Sequence, residues 1–237
     1  MQDKKNFYIN GQWVSPIEPR SFEVINPATE EPCAEISLGG KKDVDAAVKS
    51  AKKAFETWGF TTKEERLTLF DKLYEIYKKN WDDMAKTISL EMGAPIDFST
   101  ELQTKTGASH IKSFKNILKN FKFEKTLDEE KNQTILYEPK GVCALITPWN
   151  WPINQVNLKV IPALAAGCTV VLKPSEIAPL SSMLLAEMMH EAGFPKGVFN
   201  LVNGDGAVTG DALTSHPDID MISFTGSTRA GALISQN

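Results

Sequence analysis

Cysteine is scarce. The three that occur among 237 residues, Cys33, Cys143 and Cys168, are odd in number and widely spaced, which fits neither a disulfide framework nor a zinc site. A reducing cytoplasm is the simplest compartment for such a chain. Apolar runs are short. None reaches the roughly 18 residues needed to cross a bilayer, so no membrane partner is expected. The opening Met1-Gln2-Asp3-Lys4-Lys5-Asn6 has no apolar stretch of the kind a secretory signal requires. Basic runs are missing too. With 26 Lys and Arg against 30 Asp and Glu, the net charge of -4 argues against nucleic acid as the main partner. Internal repeats and low-complexity segments are not found. The dinucleotide fingerprint G-x-G-x-x-G is also absent, and the nearest approach, Gly204-x-Gly206-x-x-x-Gly210, has a longer spacing.

What remains is an ordinary globular composition, 42% hydrophobic and 24% charged, with enough chain to bury a sizeable core. Residues 6–40 read as short strands and turns. Asn10-Gly11 between two aromatic runs signals a hairpin over 7–14. Residues 22–27 and 34–37 read as two more extended pieces, and the whole region reads as scaffold. Residues 43–119 are helical by spacing. Val44, Ala47, Val48, Ala51, Phe55 and Trp58 recur at three- and four-residue steps, and Asp43 is placed to cap the first helix. Thr62-Lys63-Glu64-Glu65 is a capping box for the second. Trp81, Met84, Ala85 and Ile88 mark a third, ending near Gly93 and Pro95. Ile111, Phe114, Leu118 and Phe121 mark a fourth. His110, beside that last stripe, has no evident partner and reads as a packed or surface histidine. Residues 121–138 break the pattern with two strand-like runs around the charged loop Asp128-Glu129-Glu130-Lys131. Such a ribbon either packs on the chain or joins a neighbour's sheet, because alone it is marginal in water.

From Gly141 strands alternate with helices: strands over 142–146, 169–172, 198–202 and 219–224, and helices to Gly167, over 180–192, to about Ser215, and from about Thr228. This implies an α/β fold with a Rossmann-like parallel sheet. All four carboxyl ends then lie on one edge, where such folds bind ligands. Those ends carry Thr147-Pro148-Trp149-Asn150, Lys173-Pro174-Ser175-Glu176, Gly204-Asp205-Gly206 and Thr225-Gly226-Ser227-Thr228. The first is the stiffest. Pro148 and Pro152 cannot extend the strand, Pro152 suits the first turn of a helix, and Asn150 is presented between them. Glycines before helix starts offer backbone N–H groups to an anionic group such as a pyrophosphate. Lys173 and Glu176 supply a cation and an acceptor. An acid in such a place binds ribose hydroxyls and resists a 2′-phosphate. Together these features point to a nucleotide-type ligand.

Ile146-Thr147-Pro148-Trp149-Asn150-Trp151-Pro152, Lys173-Pro174-Ser175-Glu176 and Phe224-Thr225-Gly226-Ser227-Thr228 resemble, in order and spacing, the signatures of the NAD(P)-dependent aldehyde dehydrogenase superfamily. The likeness extends upstream through Asn26-Pro27-Ala28-Thr29 and the helical region, over nearly the whole chain. The resemblance implies a cofactor-binding domain over 1–120 and 139–237, incomplete at its C-terminus, and an oligomerisation ribbon over 121–138. It implies that Asn150 is the oxyanion-stabilising amide, and that Lys159 relays a proton. Ile146 and Trp149 would border nicotinamide and substrate, with Thr147 among the cofactor contacts. Lys173 and Glu176 would hold the adenosine ribose, Gly206 and Gly210 would lie along the adenine pocket, and Thr225, Gly226 and Ser227 would face the dinucleotide. The implied cofactor is NAD, with NADP possible because Arg229 stands where an acidic or small residue is common. The implied substrate is a small-molecule aldehyde, and the implied assembly a homodimer or homotetramer.

The family's chemistry runs through a cysteine thiolate that attacks the aldehyde, hydride transfer to the nicotinamide, and a glutamate that activates water to hydrolyse the thioester. By the resemblance, that cysteine and glutamate follow the Phe-Thr-Gly-Ser helix, and none of the three cysteines here matches the nucleophile. The chain alone is therefore expected to hold cofactor without oxidising aldehyde. Two other outcomes stay open: a truncated nucleotide-binding or interaction module, and a member of the superfamily that passes the acyl group to coenzyme A. Asn154, Gln155 and Leu158 do not by themselves define an aldehyde.

Overall fold

The computed structural model describes residues 1–128, 130 and 132–236. Glu129 and Lys131 of the expected charged loop, and Asn237, lie outside the described residues. The chain starts with β1 (Gln2–Lys4), the hairpin β2 (Phe7–Ile9) and β3 (Gln12–Val14), and the pair β4 (Ser21–Asn26) and β5 (Glu31–Ser37). Helices α1 (Lys41–Trp58), α2 (Lys63–Lys79), α3 (Trp81–Met92) and the short α4 (Ile96–Phe98) follow. A π-helical stretch over Ser99–Thr104 leads into α5 (Lys105–Asn120), and then come the ribbon strands β6 (Glu124–Asp128) and β7 (Gln133–Leu136). Alternation begins with β8 (Val142–Ile146), α6 (Pro152–Ala165), β9 (Thr169–Lys173), α7 (Leu180–Ala192) and β10 (Phe199–Leu201). A π-helical turn over Gly206–Gly210 runs into α8 (Asp211–Thr214), followed by β11 (Met221–Phe224) and α9 (Thr228–Ile234).

Strands β11, β8, β9 and β10 lie side by side and all run parallel, as the alternation implies. β8 and β9 are buried along their whole length, because helices cover both faces. Cys143, Leu145, Val170 and Leu172 face the layer that contains α2, α6 and α7. Val142, Ala144, Ile146 and Val171 face Val44, Ala47, Val48 and Ala51 of α1. All three cysteines are free, with Cys143 and Cys168 buried and Cys33 half-buried.

The main sheet is mixed, which the sequence did not convey. The β2–β3 hairpin extends it antiparallel beyond β10. Asn10 and Gly11 sit at φ 54° and 73°, the two-residue turn expected of Asn-Gly. Asn200, buried in β10, makes the joint. Its amide donates to the carbonyls of Val170 and Gly197 at 3.2 and 2.7 Å, and its oxygen accepts from the Asn10 N–H at 3.0 Å.

Two local expectations change, and one stretch gains detail. Asp43 is not the residue at the head of α1; Gly40 is, and Asp43 reaches back from the first turn to accept from the N–H groups of Gly40 and Ile17 at 2.9 and 2.8 Å. Phe121 lies past the end of α5 in an extended conformation, and its ring packs on Phe123 and Tyr137 instead of continuing the helical stripe. Residues 96–104, inside the region expected to be helical but given to none of its four helices, form helical turns in which polar Ser99, Gln103 and Thr104 are buried. The Thr62 capping box is present, with the Glu65 carboxylate accepting from Thr62 N–H at 2.7 Å and the Thr62 hydroxyl from Glu65 N–H at 3.2 Å.

Glu91 of α3 is fully buried, and its carboxylate accepts from the first N–H groups of α7, those of Leu180 and Ser181. Burial outweighs these donors and pushes its pKa up to about 7. The unfolded chain releases this proton near pH 4.3, so between there and about pH 7 the native state binds more protons. Stability contributed by Glu91 therefore falls as pH rises through that window. Urea denaturation at a series of pH values should show this decline in the wild type and its loss in Glu91→Gln.

Candidate functional site

The four carboxyl ends do meet on one edge. The ladder itself brings them together. The Thr147 N–H donates to the Lys173 carbonyl at 3.2 Å, and the Thr225 N–H to the Ile146 carbonyl at 3.1 Å. Beneath this rim lies a cavity of about 540 Å³ lined by Ile146, Lys173, Gly206, Ala207, Gly210, Asp211, Thr214, Phe224, Ser227, Arg229, Ala230, Leu233, Ile234 and Gln236. Of the residues singled out from sequence, Ile146, Lys173, Gly206, Gly210 and Ser227 line it together.

Lys173 is the most constrained of them. Its buried ammonium donates to the carbonyls of Gly204 and Pro174 at 2.6 and 2.9 Å and stands 3.7 Å from the Glu176 carboxylate. Burial lowers its pKa, and Glu176 and Asp205 act against that shift. Glu176 itself is half-buried and is not among the residues that line the cavity. Ser227 heads α9, its hydroxyl accepting from the Ala230 N–H at 3.2 Å. Gly226 lies on the Phe224 ring, which a Cβ at that position would strike. Gly206 faces open space where a Cβ would stand. Close approach of a ligand to that backbone is thus unobstructed.

Other expected residues sit around the cavity rather than in it. Trp149 and Asn150 are exposed on the turn between β8 and α6, and Pro152 occupies the first position of α6. Trp151 packs edge-on against Phe98 at 5.5 Å between ring centroids. Thr147 is buried, and its hydroxyl has no hydrogen-bond partner among the described residues. Lys159 points from α6 to β11, where its ammonium donates to the Ser223 hydroxyl at 3.1 Å, and burial lowers its pKa. His110 does have a partner: Asn154 Oδ1 lies 2.8 Å from its Nε2, and its ring stacks on Phe114.

The lining residues that sequence reasoning passed over, Ala207, Asp211 and Thr214 on one side and Ala230, Leu233 and Ile234 on the other, recur at helical spacing. That spacing marks one face of a helix, but small, polar and large apolar residues are mixed on it, so nothing in the sequence separates a wall of the cleft from any other helix face. An open glycine at 206 and a buried cation at 173, both on the lining, fit a ligand that bears phosphate groups.

The geometry defines an α/β domain with a ligand cleft at the carboxyl ends of its parallel strands. The chain belongs to the aldehyde dehydrogenase family, whose model matches residues 13–237. It is 51% identical over 236 residues to 3-succinoylsemialdehyde-pyridine dehydrogenase of a Pseudomonas species, covering 99% of this chain and 49% of that protein. The solved aldehyde dehydrogenase of Bartonella henselae superimposes with a TM-score of 0.98 at 59% identity, covering 100% of this chain and 50% of that one. Aldehyde dehydrogenase C of Pseudomonas syringae, a cysteine-to-alanine mutant solved with NAD+ and octanal, superimposes at 0.95 with 49% identity, covering 98% of this chain and 47% of that one. The chain thus spans about half the length of the curated relatives it matches.

Lys173→Met would remove a charge-assisted contact to the Gly204 carbonyl from a buried site. Chemical denaturation should show a loss of about 1.5–3 kcal/mol.

Proposed function

We propose that the chain is the cofactor-holding half of an NAD+-dependent aldehyde dehydrogenase that oxidises an aldehyde to a carboxylic acid. The convergence of Ile146, Lys173, Gly206, Gly210 and Ser227, from separate loops, on one cavity carries this reading. Residues 1–120 and 139–237 form the cofactor domain. Lys173 and Glu176 hold the adenosine ribose, and the carboxylate of Glu176 favours a free 2′-hydroxyl, hence NAD over NADP. The relative solved with NAD+ and octanal supports the same cofactor. Gly206 and Gly210 flank the adenine, Thr225, Gly226 and Ser227 face the phosphates, and Ile146, Thr147 and Trp149 border the nicotinamide. NAD+, when bound, supplies the hydride acceptor.

Asn150 donates its side-chain N–H to the oxygen that gains charge as the aldehyde carbon becomes tetrahedral. Its position on a turn stiffened by Pro148 and Pro152 limits the reorganisation this requires. Lys159, desolvated against Ser223, is suited to passing a proton. The nucleophile comes from the half of the family fold that this chain does not span. Cys143, pushed up by its Cys168 neighbour and by burial, lies in the core and is unsuited to the part. Free cysteines are consistent with a cytoplasmic setting. The ribbon over 121–138, with Leu127 and Leu136 exposed at 61% and 63%, is the surface through which a homodimer or homotetramer forms.

Calorimetric titration of the 237-residue chain should show saturable NAD+ binding, weaker NADP+ binding, and no NADH on addition of aldehyde. In the complete protein, Asn150→Ala should lower turnover about 10²–10³-fold and leave cofactor affinity nearly unchanged. Unchanged turnover would remove Asn150 from the mechanism.

A further inference from the structure

The loop that carries Gly206 and Gly210 is fastened by a pair of residues to which the cofactor reading gives no part. Arg20, just before β4, donates from one guanidinium nitrogen to the Asp205 carboxylate at 2.7 Å and from the other to the Gly39 carbonyl at 2.9 Å. The other Asp205 oxygen caps the π-helical turn, accepting from the N–H groups of Val208 and Thr209 at 2.7 and 3.4 Å. Gly39 is drawn in as well. Its carbonyl accepts from the Thr209 hydroxyl, and its N–H donates to the Asn203 carbonyl at 2.8 Å. On the inner side Lys173 holds the Gly204 carbonyl. Segment 203–209 is therefore gripped from outside by the N-terminal segment and from inside by Lys173. Burial would raise the Asp205 carboxyl, but the Val208 N–H and the Arg20 guanidinium outweigh it and hold the pKa below the ordinary carboxylate range.

Three glycines, Gly204, Gly206 and Gly210, make this loop pliable by composition. A pliable loop must be ordered at the moment a ligand binds, at the expense of affinity. We propose that Arg20 and Asp205 are a positioning pair that presets the Gly206–Gly210 turn for the adenosine end of the dinucleotide. Neither residue lines the cavity, yet together they set its affinity. This rests on the cofactor reading above. Arginine suits the task because its planar fork spans two acceptors, a carboxylate and a carbonyl, where lysine would serve one.

The test is calorimetric titration of the 237-residue chain with NAD+ and, separately, with ADP-ribose, paired with amide hydrogen exchange of the ligand-free protein. Arg20→Ala should weaken both ligands by the same factor, about tenfold. It should speed exchange at Val208 and Thr209 and leave β8 and β9 protected. Arg20→Lys, which keeps the charge, should fall between the two. The double variant Arg20→Ala/Asp205→Ala should bind no more weakly than Asp205→Ala alone, since the pair acts as a unit. If the wild type binds both ligands and Arg20→Ala binds them equally well, the pairing is overturned and the cofactor reading stands. If the wild type binds neither ligand, the cofactor reading falls and the proposal falls with it.

Discussion

The parallel pairing of β8 with β9 is the constraint on which the site depends. It runs from Val142 opposite Thr169 to Ile146 opposite Lys173 without a break. A slip of one residue would turn each side chain to the other face. The two faces are not interchangeable. The α1 side offers the small surface of Ala47 and Ala51, whereas the other offers Ile153, Val160, Leu185 and Met189. Packing thus fixes the register, and the register sets Thr147 beside Lys173. The turn bearing Asn150 and the buried ammonium of Lys173 leave the sheet next to each other because the ladder ends with the Thr147 N–H on the Lys173 carbonyl.

A second buried cation ties the layers together at the opposite end. Arg66 of α2 donates to the carbonyls of Thr61 and Ala165 at 2.8 and 3.1 Å, which joins the loop after α1 to the last turn of α6. Its guanidinium also lies 5.7 Å from the centre of the Phe123 ring at the root of the ribbon. The carbonyls at a helix C-terminus carry partial negative charge, so a single cation can satisfy several without a carboxylate partner. The ribbon beyond is paired only with itself among the described residues, and its anchorage to the body is concentrated in this aromatic and cationic root.

Much of this was legible from the chain itself. Strands β8 and β9 announce themselves as uninterrupted apolar runs, and α7 is bounded by Leu180 and by Gly193 at φ 84°. Punctuation by proline and glycine is local chemistry, and a linear reading captures it. What escaped depends on partners far away in sequence. The hairpin joins the main sheet through Asn10 and Asn200, which lie 190 positions apart. Asp205 was visible as part of a glycine-rich turn, but its partner Arg20 lies 185 positions away. The turns over 96–104 bury polar side chains, so no apolar periodicity marks them. Within the site, the motif residues at the strand ends could be found, and the walls contributed by the helices after them could not.

One edge of β11 pairs with β8, and the other carries no strand among the described residues. Met221 on that strand and Leu233 on α9 remain 43% and 56% exposed, and α9 buries none of its side chains. A further strand laid there in parallel would end at the same rim as its neighbours. Widening the sheet and adding a wall to the cleft would then be a single event, and the shape of the cleft would report directly on whether that last place in the sheet is filled.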